Sequence, residues 1–230
     1  MEKLITASIV TIIISLGFIM NLIDLYNIIK RTNFTNQYHK KFIELVEELF
    51  SNKTFNNHLY YELTLEVKAM QYELGSDGIY ACITDKLKGF TANNYQVLIN
   101  FLPELKHVIA NWHNSIMMDR YIQSAQDCDD MFIRHMGTLK NLEKAVRKRL
   151  INPLCLFSDG MKFVISLPVL MLNWLGVISD KSTRKIRQSK FIKVINSLGV
   201  IVGLISAIFT IVLGWNDFLQ LISKLFNRTT

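Results

Sequence analysis

Residues 4–23 read LITASIVTIIISLGFIMNLI, twenty positions without a charge. At about 1.5 Å of rise per residue, a helix of this length reaches roughly the 30 Å of a bilayer hydrocarbon core. A second uncharged run, Val194 to Trp215, is as long. Together they predict an all-α integral membrane protein with an N-terminal transmembrane helix, a soluble helical bundle and C-terminal membrane helices. The first run exceeds the usual 7 to 15 apolar residues of a secretory signal, and no small-x-small site follows Met20, so it reads as an uncleaved signal anchor.

Outward from these runs the polarity is segregated. Half of the 230 residues are hydrophobic and the net charge is +7. Residues 32–150 balance 14 basic against 14 acidic side chains, which leaves +1 on 1–31 and +6 on 151–230. Excess cations beside membrane segments point to anionic lipid headgroups and away from a nucleic-acid-binding domain. Cys82, Cys128 and Cys155 show no metal-ligand spacing, and an odd number cannot all pair within the chain, so no disulfide framework is expected. The expected organisation is an N-terminal anchor (1–31), a soluble helical domain (32–150), a re-entrant, interfacial or third transmembrane segment (151–180), a basic cytoplasmic loop (181–193), a transmembrane helix (194–215) and an amphipathic tail (216–230).

The segment within 151–180 is ambiguous because its apolar core, Phe163 to Ile178, spans sixteen residues, contains Pro168 and Asn173, and follows Asp159 and Lys162. Basic residues stay on the cytoplasmic side. If this segment crosses fully, the cluster Lys144, Arg147, Lys148 and Arg149 and the cluster Lys181, Arg184, Lys185 and Arg187 face opposite sides. A segment that dips in and returns keeps both on one side and is favoured here, with three crossings as the alternative. The domain at 32–150 is then cytoplasmic, in the cell membrane's inner aqueous phase, and both termini face outward.

Within that domain, Leu59, Leu63, Val67, Met70 and Leu74 line one face of a helix from about Asn56, stopped by Gly75 to Gly78. An earlier helix is expected over about Thr35 to Phe50. A third long helix is expected from Pro103, with Leu105, Val108, Ile109, Trp112, Ile116 and Met117 as its buried stripe. Phe132, His135 or Met136, Leu139, Leu142, Val146 and Leu150 form a coiled-coil-like stripe. Nothing in the region alternates with period two over enough residues to predict a strand.

Asn196, Gly199, Gly203, Ala207, Thr210 and Gly214 step by three or four along the last run, and Gly199 to Gly203 is a GxxxG unit. Small residues let helices approach closely in lipid, so this is the expected helix-packing face, with oligomerisation as its consequence. Ser8, Thr11 and Ser15 make a weaker polar stripe on the first anchor. The two basic clusters, Lys144, Arg147, Lys148, Arg149 and Lys181, Arg184, Lys185, Arg187, are the expected headgroup contacts.

No catalytic signature stands out. Asp127, Asp129 and Asp130 point in different directions on a helix, and Asp130 is placed to pair with Arg134. Cys128 and His135 lie two turns apart, His107 and His113 fall on opposed faces, and Gly75 with Gly78 lacks a following Lys and Ser or Thr. No cofactor or metal is expected. The expected function is non-enzymatic: a cytosolic domain that binds or senses an unidentified protein partner, on an oligomeric membrane unit that responds by altering permeability. The alternative is a static scaffold or accessory subunit that recruits a cytosolic partner.

Overall fold

The computed structural model describes residues 2–85, 89–179, 182, 194, 197–203 and 205. It is mostly helical, 83%. In chain order the elements are α1 (Glu2–Asn52), α2 (Asn57–Leu74), β1 (Ile79–Asp85), β2 (Phe90–Gln96), α3 (Val97–Glu104), α4 (Ser115–Ile151) and α5 (Pro153–Trp174), with 3-10 turns at Gly75–Gly78 and Leu105–His107. Residues 197–203 are also helical. Two compact units emerge: unit 1 from Met1–Leu25 and Ala145–Thr230, unit 2 from Tyr26–Lys144.

In unit 2, the part of α1 from Tyr26 onward, α2, α3 and α4 bury a common core. Phe132 of α4 sits among its aromatic rings, 5.9 Å from Tyr38 and 5.6 Å from Phe42, and Phe42 meets Phe101 of α3 at 6.4 Å. Leu45, Leu49, Leu63, Met70, Leu98 and Leu102 complete it, all buried. The fully buried Tyr38 donates its hydroxyl hydrogen to the Leu63 carbonyl at 3.0 Å, so its polar atom is not left unmet. α2 starts as its sequence predicts: Asn56 Oδ1 accepts from the backbone N–H groups of His58 and Leu59, both at 3.1 Å. It stops at Gly75, whose φ of +53° suits a residue without Cβ.

Several expectations need correction. No strand is expected, yet the mostly helical chain holds the hairpin β1–β2, an antiparallel pair that runs from Ile79 opposite Gln96 to Asp85 opposite Phe90. Its pairing skips Ala81 and Asn94, and Asn94 has a φ of +53°. That break shifts the inward phase by one, from Tyr80 and Tyr95 to Ile83 and Ala92, and so erases the period-two signal. The helix expected at Thr35–Phe50 is not separate; α1 is continuous from Glu2 because no Gly or Pro interrupts 24–50. Pro103 does not open a long helix. It lies near the end of the short α3, where its missing N–H and its ring prevent continuation, and the chain passes through 3-10 and turn geometry before α4 begins at Ser115. Along α4, Phe132, His135, Leu139 and Val146 are buried, but Leu142 is 43% exposed and leaves the stripe.

In unit 1, α5 begins ten residues before Phe163. Asn152, held in an extended conformation by the following proline, caps it by accepting from Leu154 N at 3.0 Å and Cys155 N at 3.4 Å. The helix runs unbroken through Pro168 for 22 residues, about 33 Å. α1 and α5 are thus both long and apolar enough to cross a membrane.

Candidate functional site

Within unit 1, α1 and α5 meet antiparallel on bare glycine. A Cβ placed on Gly17 would fall on the carbonyl of Leu156 and 2.9 Å from Gly160 N, and one placed on Gly160 would fall on the carbonyl of Ile13. Neither position has room for a side chain. One turn from this crossing, Asn21 is 2% exposed. Its amide nitrogen donates to the Gly17 carbonyl at 2.8 Å and to Asp159 Oδ2 at 3.1 Å, while its own Oδ1 has no partner. Asp159 Oδ2 also accepts from Arg149 Nη2 at 2.5 Å, and Oδ1 accepts from Lys162 Nζ at 3.0 Å. An asparagine and a carboxylate, each poorly tolerated in an apolar helix, share one hydrogen bond beside the glycine crossing.

Three hydroxyls on the unit 1 parts of these helices are satisfied locally. Thr11 donates to the Ala7 carbonyl and Ser15 to the Thr11 carbonyl, both at 2.9 Å, and Ser166 donates to the Phe163 carbonyl at 2.8 Å. A hydroxyl turned onto its own helix needs no partner outside it. The stripe Ser8, Thr11 and Ser15 is exposed.

Of the expected packing face, Gly199 and Gly203 lie against α5. Added Cβ atoms would stand 2.7 Å from Ile165 Cδ1 and 3.1 Å from Phe157 Cζ. Asn196, Ala207, Thr210 and Gly214 lie outside the described residues, as do the headgroup candidates Lys181, Arg184, Lys185 and Arg187 and the tail at 216–230. Lys144, Arg147 and Lys148 are exposed, whereas Arg149 is the partner of Asp159.

Unit 2 holds a second charged cluster. His135 of α4, 4% exposed, places Nε2 at 3.0 Å from Glu73 Oε1 of α2 and Nδ1 at 3.1 Å from Asp77 Oδ2 of the following turn. Arg31 of α1 donates through Nε to the same Glu73 oxygen at 2.8 Å. A carboxylate only accepts, so both histidine contacts are hydrogen bonds when the ring carries both of its protons. The group joins a guanidinium and an imidazole to two carboxylates, drawn from α1, α2, the turn and α4. Nearby, His39 Nε2 lies 2.5 Å from Asp129 Oδ1.

Cys128 is fully buried, and burial first, then Asp127 and Asp129, push its thiol pKa well above the ordinary value, which keeps it in the unreactive thiol form. Asp127 hydrogen-bonds with Tyr80, whose hydroxyl is raised to about 12 by burial and by that carboxylate. Arg134 does not pair as expected: its Nε donates to the backbone carbonyl of Asp130 at 3.3 Å. His107 and His113 are both exposed, and among the described residues no three His, Cys, Asp or Glu side chains are grouped to hold a metal ion.

Sequence reasoning missed Gly17, Gly160, Asn21 and the Arg31–Glu73–His135–Asp77 group. The first three carried a usable signal: an asparagine inside one apolar run and an aspartate inside another should seek each other, with glycines nearby to permit the approach. Comparison of the chain with known protein families, with curated proteins and with solved structures gave no match.

Proposed function

We propose that this chain is a non-enzymatic integral membrane protein of the cell membrane, with unit 1 embedded in lipid and unit 2 in the cytoplasm. Unit 2 binds or senses a protein partner, and the membrane helices respond by altering permeability. The observation that carries the membrane reading is the outward display of long apolar side chains on unit 1. Ile12 is 59% exposed, Met171 63% and Val202 62%, and only 11% of the most apolar window of α1 is buried. Helices that served as the core of a water-soluble protein would bury such side chains; helices in lipid need not. The self-satisfied hydroxyls of Thr11 and Ser15 suit the same environment, where an unmet polar group has no water to turn to.

The 22-residue length of α5 supports a full crossing. The loop 181–193 then lies across the membrane from Lys144 to Arg149, and one of the two basic clusters departs from the positive-inside preference. The two candidate spans enclose unit 2 in sequence, so both of its connections reach the same side.

A second reading, a static scaffold or accessory subunit that recruits a cytosolic partner, is favoured by one observation: Gly17, Gly160, Gly199 and Gly203 all pack within the chain. The two readings separate on reconstitution. The permeability reading expects the purified protein to resist alkaline carbonate extraction from membranes, to cross-link as an oligomer and to release small ions from liposomes. It also expects Gly203→Ile, which crowds Phe157, to change that release. Tight liposomes, a monomeric protein and an inert Gly203→Ile variant would leave the scaffold.

A further inference from the structure

We propose that α5 is a conditional membrane span whose crossing depends on Asn21 of α1. This inference rests on the membrane reading above. By itself α5 is a poor span, since it carries Asp159, Lys162, Pro168 and Asn173. An ionised side chain taken unpaired to the bilayer centre is strongly disfavoured.

The three groups that hold the Asp159 carboxylate are not equivalent. Arg149 and Lys162 lie within ten residues of Asp159 in the chain and travel with it, and their side chains are 43% and 49% exposed. They can neutralise the carboxylate wherever α5 goes, including a position along the headgroups. Asn21 comes from the other apolar helix and is buried, so its hydrogen bond to Asp159 Oδ2 exists only while α5 lies along α1. The contact of Gly17 with Leu156 and of Gly160 with Ile13 has the same property. α5 therefore has two dispositions: across the membrane, clamped to α1 by Asn21 and the glycine crossing, or along the interface, with its charges paired among themselves. Asn21 selects the first.

The test uses the full chain in sealed vesicles with a membrane-impermeant maleimide supplied to either side. Cys82, exposed on β1, reports the side of unit 2. Ser179→Cys, in a chain with Cys82→Ser and Cys155→Ser, reports the end of α5. In the parent chain the two positions should label from opposite sides. Asn21→Ala should lower the ratio of crossed to uncrossed α5 about tenfold, as expected for loss of one hydrogen bond to a charged group. Gly17→Ile, which drives the backbones apart, should do so at least as strongly. Asp159→Asn together with Lys162→Gln in the Asn21→Ala chain should restore crossing, because α5 then carries neither a carboxylate nor an ammonium that needs holding; a purely packing role for Asn21 would not be rescued this way. Buried Cys128 should stay unlabelled in every variant, which confirms that unit 2 is folded. The inference is overturned if Asn21→Ala leaves the labelling sides unchanged or if Asp159→Asn with Lys162→Gln fails to restore them. Release of the parent chain by carbonate overturns the membrane reading itself, and the inference with it.

Discussion

Units 1 and 2 each bring a carboxylate and its cations together where helices meet, and they build the surroundings in opposite ways. In unit 2 the helices are held apart by large rings, with Phe132 packed on Tyr38 and Phe42, and the charged group of His135 sits beside a continuous apolar core. In unit 1 the backbones of α1 and α5 touch at Gly17 and Gly160, and large apolar side chains such as Ile12, Met171 and Val202 are exposed. The first pattern draws its stability from removing apolar surface from water. On the membrane reading proposed above, the second has little to gain that way and relies on close backbone contact and a polar clamp, the means by which helices associate where the surroundings are already apolar.

If the contrast is right, substitutions of opposite character should be damaging in the two units. Gly160→Leu adds bulk where even a Cβ overlaps the Ile13 carbonyl. It is expected to abolish the α1–α5 contact, read as loss of a disulfide engineered between the two helices, while leaving Cys128 of unit 2 protected from maleimide. Survival of the cross-link would remove the backbone contact from the account. The converse change, Phe132→Ala, deletes the ring around which the unit 2 aromatics pack. It should destabilise that unit by about 3 to 5 kcal/mol, measured by the denaturant midpoint for Cys128 exposure, with the α1–α5 cross-link intact. Coincident loss of both signals would mean that the units do not differ in this way.

His135→Ala sharpens the same comparison at somewhat smaller magnitude. It leaves Glu73, 15% exposed, with Arg31 alone and frees Asp77, 35% exposed, to turn toward water. About 1.5 to 3 kcal/mol is expected, the range for a hydrogen bond to a charged group, since Glu73 keeps Arg31 and Asp77 can reach water. A loss under about 1 kcal/mol, the range of exposed ion pairs, would show that the cluster is held by its surroundings rather than holding them.

How much of this was readable beforehand depended on whether a single element or a pair of elements carried the signal. The face Leu59, Leu63, Val67, Met70 and Leu74 was legible with its Asn56 start and Gly75 stop, because periodicity and capping are local. The hairpin was not, because the irregularity at Asn94 shifts the alternation halfway along. Pro103 was misread because a proline suits both the first turn of a helix and its breaking point, and only the packing of Val97, Leu98, Phe101 and Leu102 before it selects the second. His135 was noticed as a residue, yet its partners lie 58 and 62 positions away, and no spacing rule reaches that far. The last apolar run drew attention through its repeated glycines, while Gly17 and Gly160, each alone in its own helix, make the backbone contact. A close approach needs one small residue on each side, and a motif search over one helix sees only half of it.

The smallest expected effect concerns alkaline pH and is confined to unit 2. Burial raises the pKa values of the Cys128 thiol and the Tyr38 hydroxyl well above their ordinary values of 9.0 and 10.0. The folded unit keeps both protons, whereas the unfolded chain releases them near the ordinary values, so ionisation favours unfolding only once the pH passes those values. Stability is therefore whole below about pH 9 and declines above it, by about 1.4 kcal/mol per pH unit for each proton that the unfolded chain alone has lost. Cys128→Ala removes the earlier of the two contributions. Whatever it does to packing, it should delay the onset of the alkaline decline from near 9.0 toward 10.0, where Tyr38 and Tyr80 begin to act. The comparison lies in the slope of the denaturant midpoint against pH, so a uniform loss of stability from the smaller side chain does not obscure it. Equal slopes for the two proteins between these pH values would mean that the thiol ionises as readily in the folded unit as in the unfolded chain, and would remove the burial of Cys128 from the account.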